Sequence, residues 1–134
     1  MPTTDLDIVR GLYEAFADRD LDTIRAAIGQ DFVMEQSDLL PWGGRRHGPE
    51  GFFAFLGTLL THIEPILDIE ELFDAGDHIV EVGHTRGRVL AHGNTFRIPE
   101  IHAWQLRDSK LLSYRVYVDT PAMLAALAGQ DGGN

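Results

Sequence analysis

A glutamate and a histidine lie two residues apart in the apolar stretch Thr95–Leu106. The alternating pattern predicts a strand, in which residues two apart share one face at roughly 6.5 Å. Burial of a carboxylate and an imidazole in a plain core is costly, so Glu100 and His102 indicate an apolar pocket where a proton moves. The alternatives are that the pair faces solvent or a dimer interface. The large apolar residues on the same face are Phe96, Ile98, Trp104 and Leu106.

The chemistry of such a pair is proton transfer. Desolvation raises the pKa of Glu100 and lowers that of His102, whereas the opposite charge of each partner acts the other way. The two groups would titrate together and could act as general acid or base near neutral pH. This chemistry needs no cofactor, and we expect none. We also expect no metal, because two ligands are fewer than the three of a catalytic zinc site.

The composition is typical of one globular domain. The chain has 134 residues, of which 44% are hydrophobic, and its net charge is −10. An acidic surface disfavours nucleic acid as a partner, and no apolar run is long enough for a membrane span. Cysteine is absent, which excludes disulfides and thiol chemistry and fits a cytoplasmic location. The N-terminus has no signal-peptide pattern.

The hydrophobic periodicity changes from helical in the first half to alternating in the second. This order predicts an α+β domain in which a curved, mostly antiparallel sheet packs on three N-terminal helices around a conical cavity. Residues 37–48 are predicted to be an irregular loop, and the two chain ends to be irregular as well. The predicted helices are 5–17, 21–28, 49–61 and a short one from Pro121, and the predicted strands are 31–36, 66–73, 78–90, 95–106 and 111–119.

Three aromatic residues outside the Glu100–His102 strand are further pocket candidates. Tyr13 lies on the apolar face of the first helix, where it is either a core residue or a pocket residue. Trp42, which two glycines follow in the loop, could cover the mouth of a pocket or plug the core. Phe55 faces inward on the third helix.

Several motifs resemble the NTF2-like superfamily, in particular its SnoaL-like branch, with ketosteroid isomerases and limonene epoxide hydrolases as relatives. The resemblance covers about residues 5–128 and implies a single domain over residues 1–134 with a cone-shaped fold. It also implies a homodimer, since the outer sheet face of this fold is commonly covered by a partner. The motifs are FADRDL at 16–21, DFV at 31–33, PWGG and HGPE within 41–50, IHAWQLRDSKL at 101–111 and YRVYVD at 114–119.

The catalytic residues of these relatives are only partly present. The resemblance places His102 where ketosteroid isomerases carry a hydrogen-bond-donating acid, and Tyr13 within one residue of their tyrosine. Their general base falls on Gln36, which cannot act as a base. The aspartate of SnoaL-type cyclases falls near Val116. Of the epoxide hydrolase set, the arginine and first aspartate are absent, and the second aspartate falls on Asp119.

We therefore predict a cofactor-free acid/base enzyme of the isomerase, cyclase or dehydratase type. Its substrate would be a small hydrophobic ring compound or a polyketide- or steroid-like compound. The alternatives are a non-catalytic ligand-binding or dimerisation domain and an epoxide hydrolase. The predicted catalytic residues are His102, Glu100, Tyr13 and Asp119. The predicted substrate-binding residues are Trp42, Phe96, Ile98, Trp104, Tyr114, Val116 and Phe55.

Overall fold

A computed structural model describes residues 3–129 of the chain. Within this range there are four helices and six strands, so the predicted α+β class is confirmed. The predicted irregular residues 1–2 and 130–134 lie outside the described range. None of the described helices is long and apolar enough to span a membrane. The elements are α1 (Asp5–Ala17), α2 (Leu21–Ala27), β1 (Ile28–Gln36), β2 (Gly44–His47), α3 (Gly48–His62), β3 (Ile63–Asp74), β4 (Ile79–Val89), β5 (Thr95–Arg107), β6 (Lys110–Val118) and α4 (Thr120–Leu127).

The six strands form one sheet in the order β2-β1-β6-β5-β4-β3. The predicted mostly antiparallel sheet is confirmed, because β3 to β6 form an antiparallel meander that β1 joins by parallel pairing with β6. Strand β2 falls inside the stretch predicted to be irregular, so that prediction is wrong for Gly44–His47. Its sequence, GRRH, carries no apolar alternation, and pairing with β1 alone makes it a strand.

The helix ends follow from local polar side chains. Thr4 and Asp7 form a reciprocal capping box at the start of α1, which satisfies free backbone N–H groups. Asp20 caps α2 through the N–H of Thr23. Helix α4 is capped by Asp119 and begins at Thr120, one residue before the predicted start at Pro121. These caps fix where α1 and α4 begin against the sheet.

The inner face of the sheet, which packs against α1 and α3, carries Glu100 and His102. Along β5, Ile98, Glu100, His102 and Trp104 are each exposed by 3% or less. The question of orientation is thereby decided, because both Glu100 and His102 face the interior. Across the sheet, His102 lies opposite Glu81 on β4 and Val116 on β6.

Gly83 on β4 is a position where the fold has no room for a side chain. A Cβ atom there would lie 2.1 Å from the carbonyl oxygen of Asp68 and 2.8 Å from Oε2 of Glu81. We expect Gly83→Ala to lower the free energy of unfolding by about 1–3 kcal/mol, the usual cost of overpacking. Urea denaturation measures this change.

Gly57 provides the matched control for that substitution. It lies exposed within α3, and a Cβ there would meet nothing within 4 Å. Gly57→Ala should therefore raise the free energy of unfolding by roughly 0.5–1 kcal/mol, since alanine favours a helix over glycine. Equal effects of the two substitutions would contradict the tight packing at Gly83.

Candidate active site

The interior polar cluster is built around the imidazole of His102. Its Nδ1 atom is 2.7 Å from the hydroxyl oxygen of Tyr13, which α1 supplies from the opposite wall. The same oxygen accepts a hydrogen bond of 2.8 Å from Nε1 of Trp104. The ring of Tyr13 also stacks on that of His102, with centroids 5.9 Å apart. These contacts fix the positions of both rings.

The hydrogen-bond chain determines where the protons lie. An indole N–H can only donate, so Trp104 fills one acceptor position of the Tyr13 oxygen. The Tyr13 hydroxyl can then donate to Nδ1 of His102. A neutral imidazole with Nδ1 as acceptor carries its own proton on Nε2. That nitrogen lies 3.3 Å from Oε2 of Glu100.

Two glutamates lie behind His102 in the sheet. Glu81 is fully buried and Glu100 is 2% exposed. Oε1 of Glu81 lies 3.3 Å from Nδ1 of His102, so the carboxylates lie beside different ring nitrogens. None of the four carboxylate oxygens accepts a hydrogen bond of ordinary geometry. The cluster therefore holds more acceptors than donors.

Burial shifts the pKa values of the whole cluster. The pKa of Glu100 is raised to about 10, first by desolvation and then by the neighbouring Glu81. Desolvation also raises the pKa of Glu81 and lowers that of His102 to about 3. The pKa values of Tyr13 and Tyr114 are raised well above their usual value by burial. At neutral pH the imidazole is therefore uncharged and Glu100 is protonated.

An apolar cavity of about 80 Å³ adjoins this cluster on the side of α1 and α3. Tyr13 and His102 line it, whereas Glu81 and Glu100 do not. Gln36 contributes a further polar group, and its buried Oε1 has no hydrogen-bond partner. Of the residues predicted to bind substrate, those that line the cavity are Trp42, Phe55, Trp104, Tyr114 and Val116.

Four predicted site residues lie outside the cavity lining. Asp119 caps α4 by accepting from the N–H of Ala122, so it serves the helix start. Phe96 lines an outer groove, and Ile98 is a buried core residue that does not line the cavity. Glu100 contacts His102 and does not line the cavity, so it can act on a ligand only through His102.

Sequence reasoning missed Glu81. Counting outward from the gap between the predicted strands 78–90 and 95–106 would pair Leu90 with Thr95 and hence Glu81 with Trp104. The observed register differs by two residues, so that Arg88 pairs with Thr95 and Glu81 with His102. The alternation Ile79, Glu81, Gly83, Thr85 then places the carboxylate on the same face as His102.

The cluster is also the group of possible metal ligands found among residues 3–129. Glu81, Glu100 and His102 each offer a ligand atom, and these atoms lie within 4.8 Å of one another. The two carboxylates, however, lie beside opposite nitrogens of one imidazole, and Tyr13 holds Nδ1. A cation could use only the remaining nitrogen, so the arrangement suits shared protons better than a metal.

Solved structures with this fold provide the comparison. An NTF2-like protein of unknown function from Burkholderia pseudomallei is 28% identical, with a TM-score of 0.86 over 95% of this chain and 98% of that one. TerC, co-crystallised with polyporic acid, is 25% identical, with a TM-score of 0.82 over 92% and 98%. A Catenulispora acidiphila protein with a ketosteroid isomerase-like fold is 18% identical, with a TM-score of 0.78 over 96% of both chains. No curated protein matches the chain significantly.

The family follows from the sequence match together with this fold. The model of the SnoaL-like domain matches residues 9–114, which include most of α1, all of α3 and most of the meander. The predicted resemblance to the NTF2-like superfamily is confirmed by the same structures. The chain belongs to the SnoaL-like domain family.

Proposed function

We propose that the protein is a cofactor-free acid/base enzyme that acts on a small, largely apolar carbonyl compound. The observation that carries this proposal is the hydrogen-bonded chain from Trp104 through Tyr13 to His102, which ends at an apolar cavity. The Tyr13 oxygen accepts from Trp104 and donates to His102, so one lone pair remains for a ligand. Tyr13 is therefore the group that would exchange a proton with the substrate.

The reaction class follows from that single proton-exchanging group. When Tyr13 removes an acidic proton next to a carbonyl group, it passes its own proton to the neutral imidazole of His102. The proton can return to another atom, which gives an isomerisation. Alternatively, the carbanion can expel hydroxide or close a ring, which gives a dehydration or a cyclisation. The amide of Gln36 lines the same cavity and would bind the substrate's polar atom.

The size of the cavity bears on the substrate. Benzene occupies an engineered apolar cavity of roughly 150 Å³, so 80 Å³ holds less than one ring. A groove of about 470 Å³ between α1 and β3 shares Tyr13, Phe16, Pro65 and Leu67 with the cavity. Movement of the half-buried Phe16 and Leu67 would join the two spaces. We propose that a ring compound binds across both, and the TerC complex with polyporic acid supports a small-molecule ligand.

A ligand screen followed by isotope exchange tests this function. Ring-containing carbonyl compounds that raise the melting temperature would be incubated with the protein in D2O, and deuterium at the α-carbon measured by NMR. We expect catalysed exchange that Tyr13→Phe lowers by at least about 100-fold, the usual contribution of general acid/base catalysis. The control is Tyr117→Phe, whose ring is 53% exposed on the outer sheet face. Equal exchange in Tyr13→Phe and the wild type would refute the role of Tyr13.

A non-catalytic binding domain is the second candidate, and the small cavity favours it. Trp42 is 1% exposed and lines the cavity, so it fills space that a ligand would need. Under this alternative, compounds would bind without any exchange of deuterium in the wild type. The same experiment therefore separates the two functions.

We further propose a homodimer through the outer face of the sheet and a cytoplasmic location. Ile101 and Tyr117 are 44% and 53% exposed near the centre of that face. Ion pairs surround them, such as Arg86 with Asp68 and Arg97 with Glu70. An apolar centre with a charged rim is typical of a protein interface. A monomeric mass in solution would contradict the dimer.

A further inference from the structure

The two buried glutamates, Glu81 and Glu100, do not line the cavity and take no direct part in proton exchange between a ligand and Tyr13. Their carboxylate oxygens are buried without hydrogen-bond partners, and among residues 3–129 their ion-pair contacts are to His102 alone. Two adjacent ionised carboxylates in such surroundings repel each other and lose their hydration. Something must therefore reduce the charge of the pair.

Gly83 shows that the fold keeps space for both carboxylates at one place. It lies directly opposite Glu100 in the β4–β5 register. Because Gly83 has no side chain, the space beside it is free for Oε2 of Glu81. This oxygen lies 2.8 Å from the position that a Cβ atom of residue 83 would take. An oxygen of each carboxyl group lies within 4.8 Å of an oxygen of the other, so each group influences the other's ionisation.

We propose that Glu81 and Glu100 hold one proton between them and store the proton that a ligand gives up through Tyr13 and His102. The storage role rests on the proposed function, whereas the shared proton is a property of the resting protein. Neither residue touches the cavity, so both act through His102 as positioning residues. A shared proton leaves the pair one negative charge and gives its oxygens a donor.

The proton movements balance along the chain. The ligand loses a proton to the Tyr13 oxygen, Tyr13 passes its own proton to Nδ1 of His102, and Nε2 passes its proton to Glu100. The pair then holds two protons and no charge, and the negative charge resides on the ligand as an enolate. Return of the proton to a different ligand atom restores the pair. This arrangement supplies the base that the cavity lining itself lacks.

Within residues 3–129, the surroundings of the pair contain no arginine or lysine paired with either carboxylate that could replace the proton. The outward-facing neighbours are Glu70 on β3 and His84 on β4, which contact each other on the outer face. The inward-facing titratable neighbours are Tyr13 on α1, His102 on β5 and Tyr114 on β6, and all three rings are uncharged at neutral pH. Glu70 adds negative charge, which further favours retention of the shared proton.

Infrared spectroscopy of the ligand-free protein tests the shared proton directly. At neutral pH we expect the carbonyl stretching band of one protonated carboxyl group in the wild type. Glu81→Gln and Glu100→Gln should each remove it, because the amide donates to the remaining carboxylate and takes the place of the proton. Glu71→Gln, at an exposed position on β3, is the control and should leave the band unchanged.

Two further readouts decide whether the pair is a proton store. Glu81→Gln should lower deuterium exchange at least about tenfold, with ligand affinity preserved and a cooperative melting transition retained, since Tyr13 and His102 remain. No band in the wild type, or a band that persists in both variants, would overturn the shared proton whether or not the protein is an enzyme. Stoichiometric binding of Zn²⁺ or Mn²⁺ to the EDTA-treated wild type, lost in Glu81→Gln, would overturn it in favour of a metal site.

Discussion

Replacement of His102 by alanine is expected to lower deuterium exchange and turnover by at least about 100-fold. The imidazole is the acceptor for the Tyr13 hydroxyl at 2.7 Å, and without it Tyr13 has no group to which its proton can pass. His102→Gln, which fills more of the same space, should be equally inactive because an amide does not relay a proton. The rate of exchange at saturating ligand measures the effect.

The control for this prediction is His47→Ala. His47 is exposed at the start of α3, and its side chain makes no capping hydrogen bond there. That variant should exchange at the wild-type rate. Wild-type activity in His102→Gln, with the fold confirmed by circular dichroism, would show that the imidazole has no part in the reaction.

Replacement of Glu100 by glutamine is expected to stabilise the protein at neutral and alkaline pH. The pKa of Glu100 is about 10 in the folded protein, compared with 4.5 for the free group. Between pH 4.5 and about pH 10, the folded state keeps a proton on Glu100 that the unfolded state has released. The free energy of unfolding therefore falls as pH rises, by up to about 1.4 kcal/mol per pH unit.

Glutamine at position 100 cannot ionise, so the variant should lack this loss of stability. At about pH 7 the difference should be on the order of 3 kcal/mol in favour of Glu100→Gln, and it should vanish near pH 4.5. Urea denaturation across this pH range measures it, with the exposed Glu71→Gln as a control that follows the wild type. A constant difference between variant and wild type at all pH values would contradict the raised pKa of Glu100.

Burial of His102 also makes the free energy of unfolding depend on pH, at the acid end of the range. Its pKa is lowered from 6.5 to about 3 by burial, so the unfolded state takes up a proton that the folded state refuses. Stability is therefore lost as pH falls from 6.5 towards 3. The opposite effect of Glu100 begins above pH 4.5, so the two effects offset each other and stability is greatest between about pH 4.5 and 6.5.

The sequence pattern was sufficient for the α+β class and for the shared face of Glu100 and His102. Alternation alone placed the two residues on one face, but whether that face is inner depends on how the sheet packs against α1 and α3. Strand β2 could not be predicted, because its four residues depend on pairing with β1 and not on their own periodicity.

The site was predictable only in part, since its contacts depend on distances between elements. Tyr13 and His102 are 89 positions apart, and only the packing of α1 on the sheet brings them together. The pairing of Glu81 with His102 required the true register of β4 and β5, which differs by two residues from the one that the predicted turn gives. The cavity volume depends on how far Trp42 and the aromatic residues of α3 fill the cone, which no local pattern specifies.

A crystal structure of the protein with a carbonyl compound from the thermal-shift screen tests the central claim most directly. If the protein is an acid/base enzyme, the ligand will enter the cavity, with an exchangeable C–H or O–H group directed at the Tyr13 oxygen and a polar atom on Gln36. Phe16 and Leu67 will have moved to admit it. A ligand confined to the outer groove, with the cavity unchanged and no contact to Tyr13, would contradict the proposed function.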